Sequence, residues 1–250
     1  MESAASTTPL APAVFVDALR TEGAALVAAA RRAGPDAPVP SCPDWTVSDL
    51  LGHVGSVLTW QADIVGRRIA EPNFVFPSPP DDPAARADWV TAAVATLADV
   101  LTDADPAAPM WTLAGPGTVA FWLRRAAHET SLHRVDAESA AGAVTPVDAT
   151  LAADALDEYF TVVVGVRVRD RMTGSGESVH VHCTDVPGEW IVRLLPDGPE
   201  IERIHAKGDV AARGAASDLL LALRNRAGLD SVDVVGDVAV LEDFRARGSV

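Results

Sequence analysis

The apolar residues of this chain change their period part-way along it, and that change limits the architectures open to it. From about residue 13 to 142 they recur at helical spacing, in four segments. AVFVDALRTEGAALVAAARRA sets Phe15, Leu19, Ala24 or Leu26 and Ala30 along one face. GPDAPVPSCPD then breaks the chain with four prolines and a glycine. The second helix starts at Thr46, an N-cap with Asp49 three residues on, which makes a variant capping box. Trp45 before the cap can staple onto Leu50, and the helix is expected to run through Trp60 to about Arg68. A Pro-rich link, EPNFVFPSPPDDP, leads to AARADWVTAAVATLADVLTDA, with Trp89, Ala93, Leu97 and Leu101 on one face. The loop DPAAPMWTLAGPG precedes TVAFWLRRAAHETSLHRVDAESAAG, a fourth helix closed by Gly142.

Beyond about residue 150 the pattern becomes mixed. LAADALDEYFTVVVGVRVRD reads as a helix with a β-branched end, and VHVHCTD and EWIVRLL alternate like strands joined by VPG. IERIHAKGDVAARG adds two short strands. AASDLLLALRNRAG is an amphipathic helix with Gly228 after its end, and DSVDVVGDVAVLEDFRARG gives a strand or turn and then a helix. The expected fold class is α+β: a four-helix bundle over residues 13–145 and a smaller α+β domain over 150–250.

The net charge of −15 disfavours nucleic acid and anionic membranes, though a few arginines in a pocket can still hold a small anion. Ala, Val, Asp and Arg are used heavily, as in a GC-rich genome. Cys42 and Cys183 form no CxxC, so neither a disulfide framework nor a cysteine zinc site is expected, and reduced thiols suit a cytoplasmic protein. The N-terminal MESAASTTPLAPA lacks the basic and apolar regions of a signal peptide and reads as a mobile tail. No apolar run approaches the ~20 residues of a membrane span.

Chemistry concentrates in three residues. Glu129 and His133 are four apart and project from one face of the fourth helix. Their stripe also holds Trp122, Ala126 and Asp136 or Ala137, so both point inward. His53 shares a stripe with Leu50, Val54 and Val57 on the second helix and points inward too. Two ligands from one helix and one from another can hold a divalent metal and leave a position open, as a working metal requires. Against this stand a hydrogen-bonded core histidine at His53 and a plain polar pair at Glu129 and His133. Asp136 either orients the His133 imidazole by accepting its hydrogen bond, or pairs with Arg134 or stands as a last-turn surface charge. His128 faces about 100° away from Glu129, toward a helix seam or the surface. His180 and His182 alternate on a strand with no acidic or third histidine partner close in sequence, and read as ordinary strand histidines. No Gly-rich phosphate loop, GxSxG or Rossmann fingerprint is present.

The segments CPDWTVSDLLGHVGSV and WLRRAAHETSLHRVDAESAAG resemble the N-terminal domain of the mycothiol-dependent maleylpyruvate isomerase family, a DinB-like metal-binding four-helix bundle. The shared pattern is Trp45, Thr46, Val47 and His53, then Glu129, His133, Arg134 and Asp136. GDVAARGAASDLLLALRNRAGLDSVDVVGDVAVLEDF resembles the family's small C-terminal domain, so the likeness spans nearly the whole chain. The resemblance implies zinc, or another divalent metal, on His53, Glu129 and His133 with water in the fourth position. It implies Arg226 as the arginine that reaches the site from the C-terminal helix. Asn225 stands where the family commonly has Gly, which leaves Arg224 as the neighbour to exclude.

The implied chemistry needs no protein cysteine. Mycothiol, a low-molecular-weight thiol cosubstrate, would be bound as thiolate and add to an electron-poor cis double bond. The adduct would rotate and expel the thiolate to give the trans isomer, with Arg226 on the substrate carboxylate. Stopping after addition would make the site an S-transferase on a small electrophile. The cleft between the domains is the expected active site, and the expected state is a monomer or weak oligomer. The rival readings are a hydrolase or lyase using metal-activated water, with no thiol, and a non-catalytic ligand-binding or regulatory protein.

Overall fold

The computed structural model describes residues 10–249, so the expected N-terminal tail lies for the most part outside the described residues. The chain divides into two compact units, Leu10–Thr145 and the residues from Pro146 onward.

The first unit is a four-helix bundle. Its helices are α1 (Pro12–Ala33), α2 (Val47–Gly66), α3 (Arg86–Asp103) and α4 (Val119–Ala140). Helix α1 packs on α3 and α4, and α2 packs on the same two from the other side. Leu26, not Ala24, takes the buried place on α1, as its apolar area demands. The capping box at Thr46 is complete: the Asp49 amide donates to Thr46 Oγ1 at 3.3 Å, and the Thr46 amide donates to Asp49 Oδ2 at 3.0 Å. Helix α2 approaches α3 closely at Gly55, where a Cβ would fall 2.4 Å from the Trp89 ring. Gly142, at φ 81°, follows the end of α4 in the left-handed conformation that closes it.

Two links expected as loops are hairpins. Strands β1 (Pro38–Val39) and β2 (Cys42–Thr46) pair ahead of α2, and β3 (Pro109–Thr112) and β4 (Gly115–Thr118) pair ahead of α4. Prolines within them carry no ladder donor, which is tolerable in two-stranded edges. The second hairpin is fixed to α4 through Trp122, whose Nε1–H donates to the Trp111 carbonyl at 2.9 Å. The first hairpin places Ser41 and Trp45 beside the inward face of α4.

The second unit begins with α5 (Ala149–Glu158), which continues as a π-helical stretch over Tyr159–Arg167. The run Thr161-Val162-Val163-Val164 crowds a normal helical turn, and the Val168 amide reaches back five residues to the Val163 carbonyl. Strands β5 (Ser178–Cys183), β6 (Glu189–Leu195), β7 (Gly198–Glu202), β8 (Val210–Gly214) and β9 (Asp233–Gly236) form one sheet in the order β7-β6-β5-β8-β9. β5 and β8 are parallel and the remaining pairs antiparallel. Helices α6 (Ala216–Leu223) and α7 (Val238–Arg247) complete the unit. Helix α6 is shorter than expected. It stops at Leu223 because Asn225 turns left-handed, at φ 59°, and the Arg226 amide closes on the Leu221 carbonyl at 2.7 Å. Glycine and asparagine are the residues that adopt this conformation most readily, so Asn225 fills a position that glycine can equally fill. Among the described residues, no helix is long and apolar enough to cross a membrane.

Candidate metal centre

Helix α4 is polar in sequence yet buried from Ala126 to Glu138. Its hydroxyls are satisfied locally: Thr130 donates to the Ala126 carbonyl at 2.8 Å and Ser131 to the His128 carbonyl at 3.0 Å. His128 packs edge-on against Phe15 of α1, at the helix seam. Glu129 and His133, one turn apart, face His53 of α2.

The three meet at one carboxylate oxygen. Glu129 Oε1 lies 3.1 Å from His133 Nε2 and 3.4 Å from His53 Nε2. The ligand atoms of all three residues fall within 4.8 Å of one another. Donors bound to one tetrahedral zinc at ~2.0–2.1 Å lie roughly 3.3 Å apart, so these separations suit a shared cation with little movement. Arg125, one turn before Glu129, pairs with Glu129 Oε2 and leaves Oε1 for the site.

His133 Nδ1 is 2.8 Å from Asp136 Oδ2, where a carboxylate accepts from an Nδ1–H, and Nε2 is the nitrogen turned toward Glu129 Oε1. Asp136 is 0% exposed, and Ser41, in the turn between β1 and β2, donates to its other oxygen at 2.5 Å. Asp136 thus lies against the His133 imidazole. Arg134 is engaged elsewhere, with Glu22 and Glu138. Burial, reinforced by His133 and Arg125, lowers the His53 pKa to about 4, so its ring is neutral at ordinary pH with a lone pair to give. Trp45 covers the two imidazoles, its ring 5.0 Å from His53 and 6.5 Å from His133. The donor set, two imidazoles and one carboxylate, fits zinc or a similar divalent ion.

Sequence reasoning missed Ser41, Arg125 and Trp45 as parts of this site. Arg125 carried a usable signal, its i,i+4 spacing to Glu129. Ser41 carried none, since only the unforeseen hairpin brings it to Asp136.

A four-helix bundle carrying an inward His-Glu-His set is the class of domain this geometry defines. Residues 16–138 match the family described as the mycothiol maleylpyruvate isomerase N-terminal domain, and the helical domain of this chain belongs to that family. Two solved structures share the fold. A crystal structure of the mycothiol-dependent maleylpyruvate isomerase has 14% identity and a TM-score of 0.58, covering 90% of this chain and 93% of that one. A histidine-to-alanine mutant of that enzyme has 14% identity and a TM-score of 0.59 over the same shares. No curated protein matches the chain in sequence.

Asp136→Asn offers a direct test of the orienting role. Metal affinity should fall about 10–100-fold, the usual cost of losing a group that holds a ligand histidine. The metal-free protein should keep its helical circular dichroism, and Asp136→Glu should recover part of the affinity. Wild-type affinity in Asp136→Asn would remove the role.

Proposed function

We propose that this protein is a metal-dependent, thiol-dependent isomerase or S-transferase acting on a small electrophile, with zinc on His53, Glu129 and His133 and mycothiol as the thiol. The observation that carries the reading is the convergence of these three side chains, with Asp136 against the His133 imidazole. Membership of the helical domain in the mycothiol maleylpyruvate isomerase family supports the choice of thiol and a maleylpyruvate-like substrate.

The bound cation would supply Lewis acidity, holding a thiol as thiolate near neutral pH. The rest is done by the chain. His53, its pKa lowered by burial, presents a neutral nitrogen, so no proton need leave it at neutral pH. Arg125 fixes Glu129 through one oxygen, so the carboxylate cannot swing to take both positions. Trp45 screens the imidazoles from water on its side. The reaction class is addition of the thiolate to a cis double bond, rotation, and expulsion of the same thiolate.

Arg226 is the proposed contact for the substrate carboxylate. Within its own unit, Arg224 stacks its guanidinium over the buried Tyr159 ring, 5.1 Å from the centroid, which occupies the neighbour. Arg226→Ala should retain full metal and thiol binding and lose most turnover, with kcat/KM down on the order of 100-fold or more. Unchanged turnover would move the role to Arg224 or Arg125.

The test of the whole reading is calorimetric titration of mycothiol into zinc-loaded protein, with His53→Ala as control. Binding that needs both zinc and His53 is the expected result. Turnover of electrophiles without any thiol would overturn it in favour of metal-activated water.

A further inference from the structure

The second unit carries a histidine cluster that the sequence reading treated as ordinary strand residues, and the fold corrects that reading. His180 and His182 alternate on β5 and share a face. The β5–β6 hairpin sets Glu189 directly opposite His182 in register. His205, in the segment between β7 and β8, folds onto the same face. The acidic partner and third histidine that are distant in sequence are therefore adjacent in space.

All three rings point a nitrogen at one atom. Glu189 Oε1 lies 2.8 Å from His180 Nε2, 3.0 Å from His182 Nδ1 and 2.5 Å from His205 Nδ1. A carboxylate oxygen offers about two lone-pair directions, so three imidazole donors oversubscribe it. The rings are splayed rather than stacked, at 49° between His180 and His182 and 88° between His180 and His205. The four ligand atoms lie within 4.8 Å of one another. The three nitrogens converge on the point that Glu189 Oε1 occupies, so a cation taking that point, with the oxygen drawn back to become the fourth ligand, would have an N₃O set. Imidazole-rich sets take zinc and its neighbours in the first transition row, whereas magnesium and calcium call for oxygen ligands.

We propose that His180, His182, His205 and Glu189 form a second divalent transition-metal site, ligating through His180 Nε2, the Nδ1 atoms of His182 and His205, and Glu189 Oε1. Four protein ligands close the coordination shell, so the site is a clamp and not an activating centre. It ties the segment between β7 and β8 to the β5–β6 hairpin. His205 is the hinge of that clamp, since its side chain is 81% exposed and has little other reason to be ordered against the sheet.

The site is tested in full-length protein with the helix-bundle ligands removed, as His53→Ala/His133→Ala, so that only the second site is read. Zinc counted by plasma mass spectrometry after dialysis should be one per chain, and cobalt should give the strong visible absorption of four-coordinate Co²⁺. Adding His205→Ala should weaken binding on the order of 100-fold and remove the raised melting temperature that zinc confers. Because His205 is exposed, this variant keeps the fold, which circular dichroism checks. Glu189→Gln should weaken binding similarly. A double variant that holds no zinc, or zinc retained unchanged in His205→Ala, would leave a hydrogen-bonded cluster and overturn the proposal. Zinc lost from His205→Ala in an otherwise native chain, with mycothiol binding intact, separates this site from the helix-bundle one.

Discussion

His133→Ala should lower zinc affinity at the helix-bundle centre by more than about 100-fold, and thiol-dependent turnover should disappear with it. The measurement belongs in a His182→Ala/His205→Ala background, where zinc on the sheet cannot mask the loss. His53→Ala should be the milder of the two. The His53 side chain is 36% exposed, so water can enter its place, whereas that of His133 is 9% exposed and held by Asp136. Removing His133 also leaves the Oδ2 of a fully buried carboxylate without the imidazole it faces. A hydrogen bond to a charged group contributes about 1.5–3 kcal/mol, so losing this one should make His133→Ala melt earlier than His53→Ala even without metal. Equal zinc in wild type and both variants would break the ligand assignment. Chelation of the wild type should lower its melting temperature, because a ligand at 100 times its Kd contributes about 2.7 kcal/mol to the folded state.

The parts of this picture legible in sequence are those governed by local chemistry. The capping box at Thr46 and Asp49 is a three-residue device, and the inward stripe of α4 follows from a 3.6-residue period. His53, Glu129 and His133 were legible because each sits on a strongly periodic helix. What was not legible depends on pairing across distance. The two hairpins are built from Pro-rich segments whose composition reads as loop, and only they bring Ser41 and Trp45 to α4. The cluster on β5 shows the same limit. HxH was visible, but Glu189 joins it through hairpin register and His205 through a connection sixteen residues further on. Asn225 is the reverse case: a departure from the common glycine becomes intelligible once its φ of 59° is known.

Arg134 shows that proximity in a motif does not mean membership of the site. It follows His133 in sequence, yet its guanidinium pairs with carboxylates outside the His53–Glu129–His133 set. Nε donates to Glu22 of α1 at 2.7 Å, and Nη1 donates to Glu138 at 2.7 Å and to the Thr145 carbonyl at 2.6 Å. The residue is 2% exposed. Burial works against its charge, but the two carboxylates outweigh that and raise its pKa, so it is charged at every working pH. Arg134→Met should therefore cost about 3 kcal/mol, because it takes the cation from the buried Glu138 and the part-buried Glu22. Urea unfolding at pH 7 measures this, and a loss below about 1 kcal/mol would show the network to be dispensable. The acid side carries its own signature. Burial acts to raise the Glu138 pKa, but hydrogen bonds from the Thr145 amide and Arg134 prevail and hold it below the ordinary 4.5. A depressed folded pKa gives stability that is complete above the unfolded value and fades as pH falls through the folded one. Wild type should therefore lose part of its stability below about pH 4.5. Glu138→Gln should start lower at pH 7 and lose less on acidification. Parallel pH profiles for the two proteins would show that Glu138 is not the group that acid discharges.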